Sequence, residues 1–164
     1  DFNVCILKNP SDIIALFNRA ATRYKMVEVI RSMEGDNTNS DISINGTKPT
    51  ELRNEIMVLD YDFILNDLNN VIKLSPNFEF AYYNKALVQC SRKLYNEALE
   101  SLNKAIEINP DFAEAYFNRG IIHIYNGNEK DGSADLSKAG ELGIFKAYNV
   151  IKRYTSKNAD ETKE

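Results

Sequence analysis

The amino-acid sequence predicts an all-α protein in which antiparallel helix pairs are stacked one upon another. Three observations lead to this prediction: a phrase that recurs after 34 residues, turn-forming residues that separate apolar helical stretches, and small residues at matching places in the repeated segments. A helix pair of that length cannot bury its apolar face alone, so neighbouring pairs share a continuous core. We therefore expect a single domain over residues 1–164.

The clearest repeat lies in the second half of the chain. Residues 81–86 read AYYNKA and residues 115–120 read AYFNRG, and the two phrases are 34 residues apart. The same displacement aligns small and apolar residues downstream: Ala98 with Gly132, Leu102 with Leu136, and Ala105 with Ala139. A period of this length, with aromatic residues early and apolar residues late, defines repeats at residues 78–111 and 112–143.

An interrupted third copy precedes these two, at residues 11–76. Residues 16–20, LFNRA, match the opening phrase, and Pro76 matches the proline that follows the closing helix. The two halves of this copy stand 32 residues further apart than in the other copies. The segment GDNTNSDISINGTKPT, within a loop insertion placed at residues 34–50, supplies about half of these 32 residues, and longer flanking helices supply the rest. Its turn-formers and its lack of apolar period predict a surface loop.

This pattern resembles the tetratricopeptide-repeat family over about residues 13–139, once the insertion is removed. The resemblance implies a right-handed superhelix of antiparallel helix pairs, whose first helices line a concave groove that takes a peptide or a partner's segment. It also suggests the C-terminal repeats of a larger bacterial protein with many such repeats. The chain departs from the family where the first helix usually has tyrosine, at Arg23, Gln89 and His123, and where Ile144 replaces the closing proline.

Seven helices follow from capping residues and apolar spacing. Ser11 is the predicted N-cap of the first helix, and proline or glycine ends several of the others. The helices are expected near residues 11–33, 51–74, 78–91, 95–108, 112–126, 129–141 and 144–156.

The last of these helices, residues 144–156, is predicted to cap the stack. Phe145, Tyr148 and Ile151 fall on one face of this helix, whereas its basic residues fall elsewhere. A terminal helix with one apolar face covers the flank that the last repeat leaves open. The charged residues 157–164 that follow are predicted to fray.

Composition and charge exclude several classes of protein. The chain has 20 Lys and Arg against 24 Asp and Glu, and its basic residues are scattered, so nucleic acid is not an expected partner. No apolar run approaches the ~20 residues that span a bilayer, so we expect a soluble chain without membrane insertion. Cys5 and Cys90 indicate neither a disulfide framework nor a zinc site, which leaves cytoplasmic and exported compartments both open.

Residues that could carry chemistry are few and dispersed. His123 is the only histidine and has no convergent partners in the sequence, so we expect it to pack or to lie on the surface. Asp60, Asp62 and Asp67 do not stack on one face of their helix and are interpreted as a solvated face. We therefore expect a protein that is not an enzyme, with no catalytic residue, no metal and no cofactor.

The resemblance places the candidate binding site in the concave groove. Its lining positions recur on the first helix of each repeat and combine apolar side chains with asparagine. They are Phe17, Asn18 and Tyr24 in the first repeat, Phe80, Tyr83, Asn84 and Leu87 in the second, and Glu114, Phe117, Asn118 and Ile121 in the third. Apolar side chains offer anchoring pockets, and an asparagine amide both donates and accepts hydrogen bonds, so it can pair with any peptide backbone. The same residues are equally suited to bracing neighbouring helices.

Two functions are compatible with the sequence. The first is a non-catalytic scaffold that binds a protein or peptide, of unknown identity, in the groove. The second is a structural spacer or self-association module, whose groove is filled by a symmetric copy or by residues 1–10 with their apolar Phe2, Val4, Ile6 and Leu7. The two functions differ in whether the groove is vacant in the isolated domain.

Overall fold

The computed structural model describes the backbone of residues 1–34 and 49–161 and the side chains of residues 1–32 and 60–154. Every regular element in that part of the chain is an α-helix, which confirms the predicted all-α class. Most of the loop predicted at residues 34–50 lies outside the described residues, as does the end of the predicted fraying tail at residues 157–164.

The described residues form eight helices. Seven correspond to the helices predicted from the sequence, and the one that precedes them, α1, was not predicted. Their bounds are α1 Phe2–Lys8, α2 Ile13–Glu34, α3 Pro49–Leu74, α4 Glu79–Ser91, α5 Tyr95–Ile108, α6 Ala113–Tyr125, α7 Glu129–Glu141 and α8 Lys146–Glu161.

The chain divides into two compact units, Asp1–Val88 and Gln89–Glu164. The first unit contains α1, α2, α3 and most of α4, and the second contains α5 to α8. In each unit, successive helices pack along their apolar faces. We call α2, α4 and α6 first helices and α3, α5 and α7 second helices, because each pair makes up one repeat.

The core of the first unit is built by α2 and α3. Leu68 and Ile64 of α3 are fully buried. They belong to the same apolar cluster as Ala20 of α2, which has no exposed surface. A smaller apolar cluster lies beside α1, where Leu16 and Val71 are buried and Ile6 is packed against them. Small residues such as Ala20 allow two helix axes to approach closely.

The core of the second unit is closely packed where α6 crosses α7. A Cβ atom built on Gly120 would lie 2.9 Å from both the carbonyl oxygen of Gly132 and Cγ of Leu136. Leu136 is itself fully buried. Glycine stands on both helices at this crossing because nothing larger fits between the two backbones.

The capping of α2 differs from the prediction. The backbone N–H of Ala15 donates to Oδ1 of Asp12 at 2.9 Å, so Asp12 rather than Ser11 caps this helix. The N–H of Ser11 donates instead to Oδ1 of Asn9 at 3.2 Å, in the turn before the helix. A carboxylate at the N-cap satisfies a free amide and also interacts favourably with the helix dipole, which explains the preference.

Candidate interaction site

The predicted groove residues of the first unit lie on α2 and α4. On α2, the ring of Phe17 meets the ring of Phe78 edge-on, with 5.0 Å between their centroids, and packs against two buried apolar clusters. The hydroxyl of Tyr24 donates to the carbonyl oxygen of Leu87 on α4 at 3.5 Å. Phe17 and Tyr24 therefore hold α2 against neighbouring elements, and Asn18 is half-buried beside them.

On α4, one of the predicted groove residues is more open than the others. The side chain of Phe80 is 45% exposed, although its ring lies 5.9 Å from that of Phe78. Tyr83, Asn84 and Leu87 are half-buried. An aromatic ring that stays half in solvent beside a fixed neighbouring ring is a preformed apolar contact point.

The predicted residues of the second unit lie on α6. Phe117 is half-buried against the cluster formed by Leu136 and its neighbours, and the ammonium group of Lys146 lies 4.7 Å from the centre of its ring. Asn118 is half-buried, Ile121 is 37% exposed and Glu114 is exposed. Phe117 thus braces α6 against the elements that follow it, whereas Ile121 and Glu114 face solvent.

Phe17 and Phe117 occupy the same repeat position, and their rings make equivalent contacts with chemically different partners. The partner of each ring is the residue at one fixed repeat position, at or just before the start of the helix that follows the repeat. This residue is Phe78 before α4 and Lys146 at the start of α8. One contact is between two aromatic rings and the other is a cation over a ring. The recurring aromatic position therefore contributes to stacking in both units.

Two arginine clusters were not predicted from the sequence. Arg119 on α6 donates from Nε and Nη2 to the two carboxylate oxygens of Asp135 on α7, each at 2.7 Å. Its Nη1 donates to Oδ1 of Asn103 on α5, also at 2.7 Å. One guanidinium group thereby joins three consecutive helices, and we call this set the Arg119 clamp.

The first unit contains an equivalent set, the Arg19 clamp. Arg19 donates to the two carboxylate oxygens of Asp67 at 2.8 and 2.7 Å, and to Oδ1 of Asn3 at 2.9 Å. Asp67 is buried, so its interpretation as part of a solvated face was wrong. The pairing of Arg19 with Asp67 could not be recognised in the sequence, because the insertion extends the 16-residue spacing of Arg119 and Asp135 to 48 residues here.

Both clamps stabilise the charged form of their arginine. The hydrogen bond to Asp135 raises the pKa of Arg119 above its usual range, although burial acts in the opposite direction. The pKa of Arg19 is raised by the hydrogen bond to Asp67 in the same way. A partly buried bidentate pair of this kind is strongly oriented, so the clamps fix helix positions rather than present charge to a ligand.

The described residues contain no group of three or more His, Cys, Asp or Glu side chains arranged to hold a metal ion. His123 lies half-buried on α6, and its Nδ1 has no hydrogen-bond partner among the residues described. Across residues 1–34 and 49–161, none of the helices has the length and apolarity that crossing a membrane requires.

The chain is similar in sequence and structure to proteins built from one kind of repeat. A family model described as a TPR repeat, the tetratricopeptide repeat, matches residues 88–127. No curated protein sequence matches the chain.

Three solved structures with a similar fold have 19–22% sequence identity to this chain. The first TPR of Spaghetti (RPAP3) bound to an HSP90 peptide is 19% identical, with a TM-score of 0.57 over 67% of this chain and 89% of that one. The Arabidopsis OM64 TPR domain is 22% identical, with a TM-score of 0.55 over 62% and 85%. The TPR2B domain of yeast Sti1 in complex with pHsp70 is 21% identical, with a TM-score of 0.53 over 66% and 90%.

Helix pairs joined by short turns and a repeated close crossing define an all-α repeat protein. The particular fold is that of tetratricopeptide-repeat domains, as the resemblance implied. Domains of this fold generally act as protein-interaction modules.

Proposed function

We propose that this chain is a non-catalytic scaffold that binds a peptide or an extended segment of a protein in the groove lined by its first helices. The observation that carries the proposal is a half-buried asparagine at the same repeat position of each first helix, together with an exposed apolar side chain on α4, Phe80, and another on α6, Ile121. Two of the similar structures are complexes with peptide ligands, which supports this mode of binding for the fold.

The apolar contribution comes from Phe80 in the first unit and Ile121 in the second. These two groove residues are 45% and 37% exposed, so a partner can remove further apolar surface from water at each of them. Burial of such surface is worth about 25 cal/mol per Å². Phe17 and Phe117 already pack against the core, so they shape the surface more than they anchor a ligand.

The polar contribution comes from Asn18, Asn84 and Asn118. Each is half-buried at the same position of its first helix. A primary amide offers both a donor and an acceptor, which matches the alternating N–H and C=O groups of an extended backbone. Contacts of this kind set the register of a bound segment without selecting its side chains.

The alternative function is a spacer or self-association module. Filling of the groove by residues 1–10 has little support, because Phe2, Val4 and Leu7 remain exposed on α1 and Ile6 packs instead against the cluster around Leu16. A symmetric copy in the groove is the remaining form of this alternative, and it predicts a concentration-dependent molecular size.

Selection from a library of random extended peptides displayed on phage tests the proposal. We expect peptides that bind the chain with micromolar Kd and that lose about tenfold or more in affinity when Phe80→Ser is combined with Ile121→Ser. Asn84→Ala combined with Asn118→Ala should weaken the same peptides by a smaller factor. The matched control is Glu100→Ala with Lys104→Ala on α5, which should leave binding unchanged.

Three outcomes would contradict the proposal. One is a selection that enriches no peptide. Another is a set of peptides whose affinity depends on the α5 control pair rather than on the first helices. A third is a chain whose sedimentation coefficient rises with concentration, with the rise abolished by the Phe80 and Ile121 changes, which would favour self-association.

A further inference from the structure

The groove positions of the two units differ in charge. In the first unit, three repeat positions on each of two neighbouring first helices hold only uncharged side chains: Ile14, Phe17 and Asn18 on α2, and Phe80, Tyr83 and Asn84 on α4. We call these six residues the neutral face. In the second unit, the equivalent positions of α6 and α8 include Glu114 and Lys152, which are charged and exposed.

Three charged residues at or beside α2 are engaged in contacts within the fold. Asp12 accepts a hydrogen bond from a backbone N–H in the first turn of the helix. Arg19 is held by both carboxylate oxygens of Asp67. Cζ of Arg23 lies 5.5 Å from the centre of the ring of Phe63 on α3. These charges stabilise the first unit and are not part of the neutral face.

Side-chain contacts hold α2 and α4 together at both ends of the neutral face. The ring of Phe17 lies 5.0 Å from that of Phe78, which lies 5.9 Å from that of Phe80, so three rings connect α2 to the start of α4. Two turns beyond Phe17, the hydroxyl of Tyr24 donates to the carbonyl oxygen of Leu87 at 3.5 Å. The neutral face is therefore preformed, and a ligand does not have to order it.

The neutral face offers apolar surface and amide groups but no charge. The ring of Phe80 is 45% exposed, and Asn84 is half-buried one turn further along α4. An aliphatic or aromatic side chain gains burial against the ring. A lysine or a glutamate would give up water there without an opposite charge to pair with, which is unfavourable for either sign. The face therefore discriminates against both signs of charge.

We propose that the neutral face binds an uncharged, apolar stretch of the extended segment that occupies the groove. An aliphatic or aromatic side chain of this stretch packs against Phe80, and the amide of Asn84 bonds the backbone beside it. Charged residues of the ligand lie outside this stretch. The inference rests on the function proposed above and specifies the chemistry of its ligand.

The test is a charge scan of the tightest-binding peptide that the parent chain selects from the phage library of random extended peptides. Each residue of this peptide is replaced in turn by lysine and by glutamate, and Kd is measured by isothermal titration calorimetry. We expect two or more positions at which both replacements raise Kd by about tenfold or more, because neither sign finds a partner on the neutral face.

The substitution Phe80→Glu then gives the first unit the residue that the second unit has at this repeat position, Glu114. Against this variant, lysine at one of those peptide positions should bind about tenfold or more tightly than glutamate, whereas the parent chain treats the two alike. A sign preference that appears only with the new carboxylate places that peptide position on the neutral face.

A second variant, Asn84→Asp, adds a carboxylate with almost no change in side-chain size and should produce the same preference for lysine. Its matched control is Asn96→Asp on α5, where the asparagine is exposed on a second helix. The control should give the scan of the parent chain. Thermal unfolding followed by circular dichroism shows that each variant is folded.

The proposal is overturned if the parent chain yields no peptide position at which both replacements weaken binding, because the groove would then read charge along its whole length. It is also overturned if the folded Phe80→Glu and Asn84→Asp variants leave the scan unchanged, since the peptide would not lie on the neutral face. Both outcomes leave the proposed function standing. A selection that enriches no peptide contradicts the proposed function and this inference together.

Discussion

Replacement of Gly120 by alanine tests whether the close crossing of α6 and α7 sets the stability of the second unit. In an open helix this change stabilises by about 1 kcal/mol, because alanine is the better helix former. Here the new Cβ would lie 2.9 Å from the carbonyl oxygen of Gly132 and 3.2 Å from Cβ of Asp135. A backbone carbonyl group cannot rotate away from the new Cβ as a side chain can, so α6 and α7 must separate.

The two effects have opposite signs, and the steric one is larger. Overpacking of a buried contact typically costs about 1 to 3 kcal/mol, and separation of the helices also lengthens the hydrogen bonds of the Arg119 clamp. We expect a net loss of about 1 to 2 kcal/mol. For a chain of this size, each kcal/mol corresponds to a Tm change of about 2 to 4 °C.

The matched control is Gly140→Ala, on the same helix as Gly132. The atoms that its Cβ would meet belong to the ring of Tyr148, which is 45% exposed and can swing outwards. Urea unfolding followed by circular dichroism should therefore show a loss for Gly120→Ala and little change for Gly140→Ala. The reasoning is refuted if Gly120→Ala matches or exceeds the parent chain, or if both variants lose equally.

Four further predictions concern stability and specificity. Truncation before Ile144 should lower Tm by several degrees and cause aggregation, because each apolar side chain that α8 covers would lose about 1.5 to 3 kcal/mol of burial free energy. A truncated chain that elutes as a monomer in size-exclusion chromatography and keeps an unchanged Tm would exclude a capping role. Asp135→Leu should lower the free energy of unfolding by about 3 kcal/mol by leaving Arg119 without its carboxylate, and adding Arg119→Leu should restore much of it; a purely additive loss in urea titrations would show that the pair is not coupled. Lys93→Gly should raise Tm slightly, because Lys93 has φ 61° at the turn position where Gly127 has φ 83°, and a decrease would show that its side chain is needed. An acidic chaperone tail peptide should not bind, because exposed Glu114 repels a carboxylate, and micromolar affinity by calorimetry would contradict this.

The helices could be predicted from the sequence because their signals are local. The 34-residue period, the turns around Pro76 and Pro110 and the small residues at the crossing are each visible within a window of one repeat. Gly120 and Leu136 both lie at repeated positions of the sequence, and the structure brings them together at the crossing of α6 and α7. Spacing alone was sufficient there, because a repeated period also repeats side-chain direction.

The clamps and α1 could not be predicted in the same way. Arg19 and Asp67 are separated by the insertion, so nothing local in the sequence shows that they meet. A comparison of Asn9-Pro10 with Asn109-Pro110 would have revealed α1, but only seven of its residues are helical, which is too short for an apolar period to stand out. The bracing role of Phe17 depends on Phe78, a contact between elements that periodicity does not report.

The Arg119 clamp changes how the second unit opens. Because one guanidinium group bonds α5 and α7 from α6, the middle helix cannot leave without breaking three hydrogen bonds. Amide hydrogens in α5, α6 and α7 should therefore exchange with solvent at a common rate, as one cooperative element. A repeat protein without such a side chain opens pair by pair, whereas here the smallest part that can unfold spans one and a half repeats.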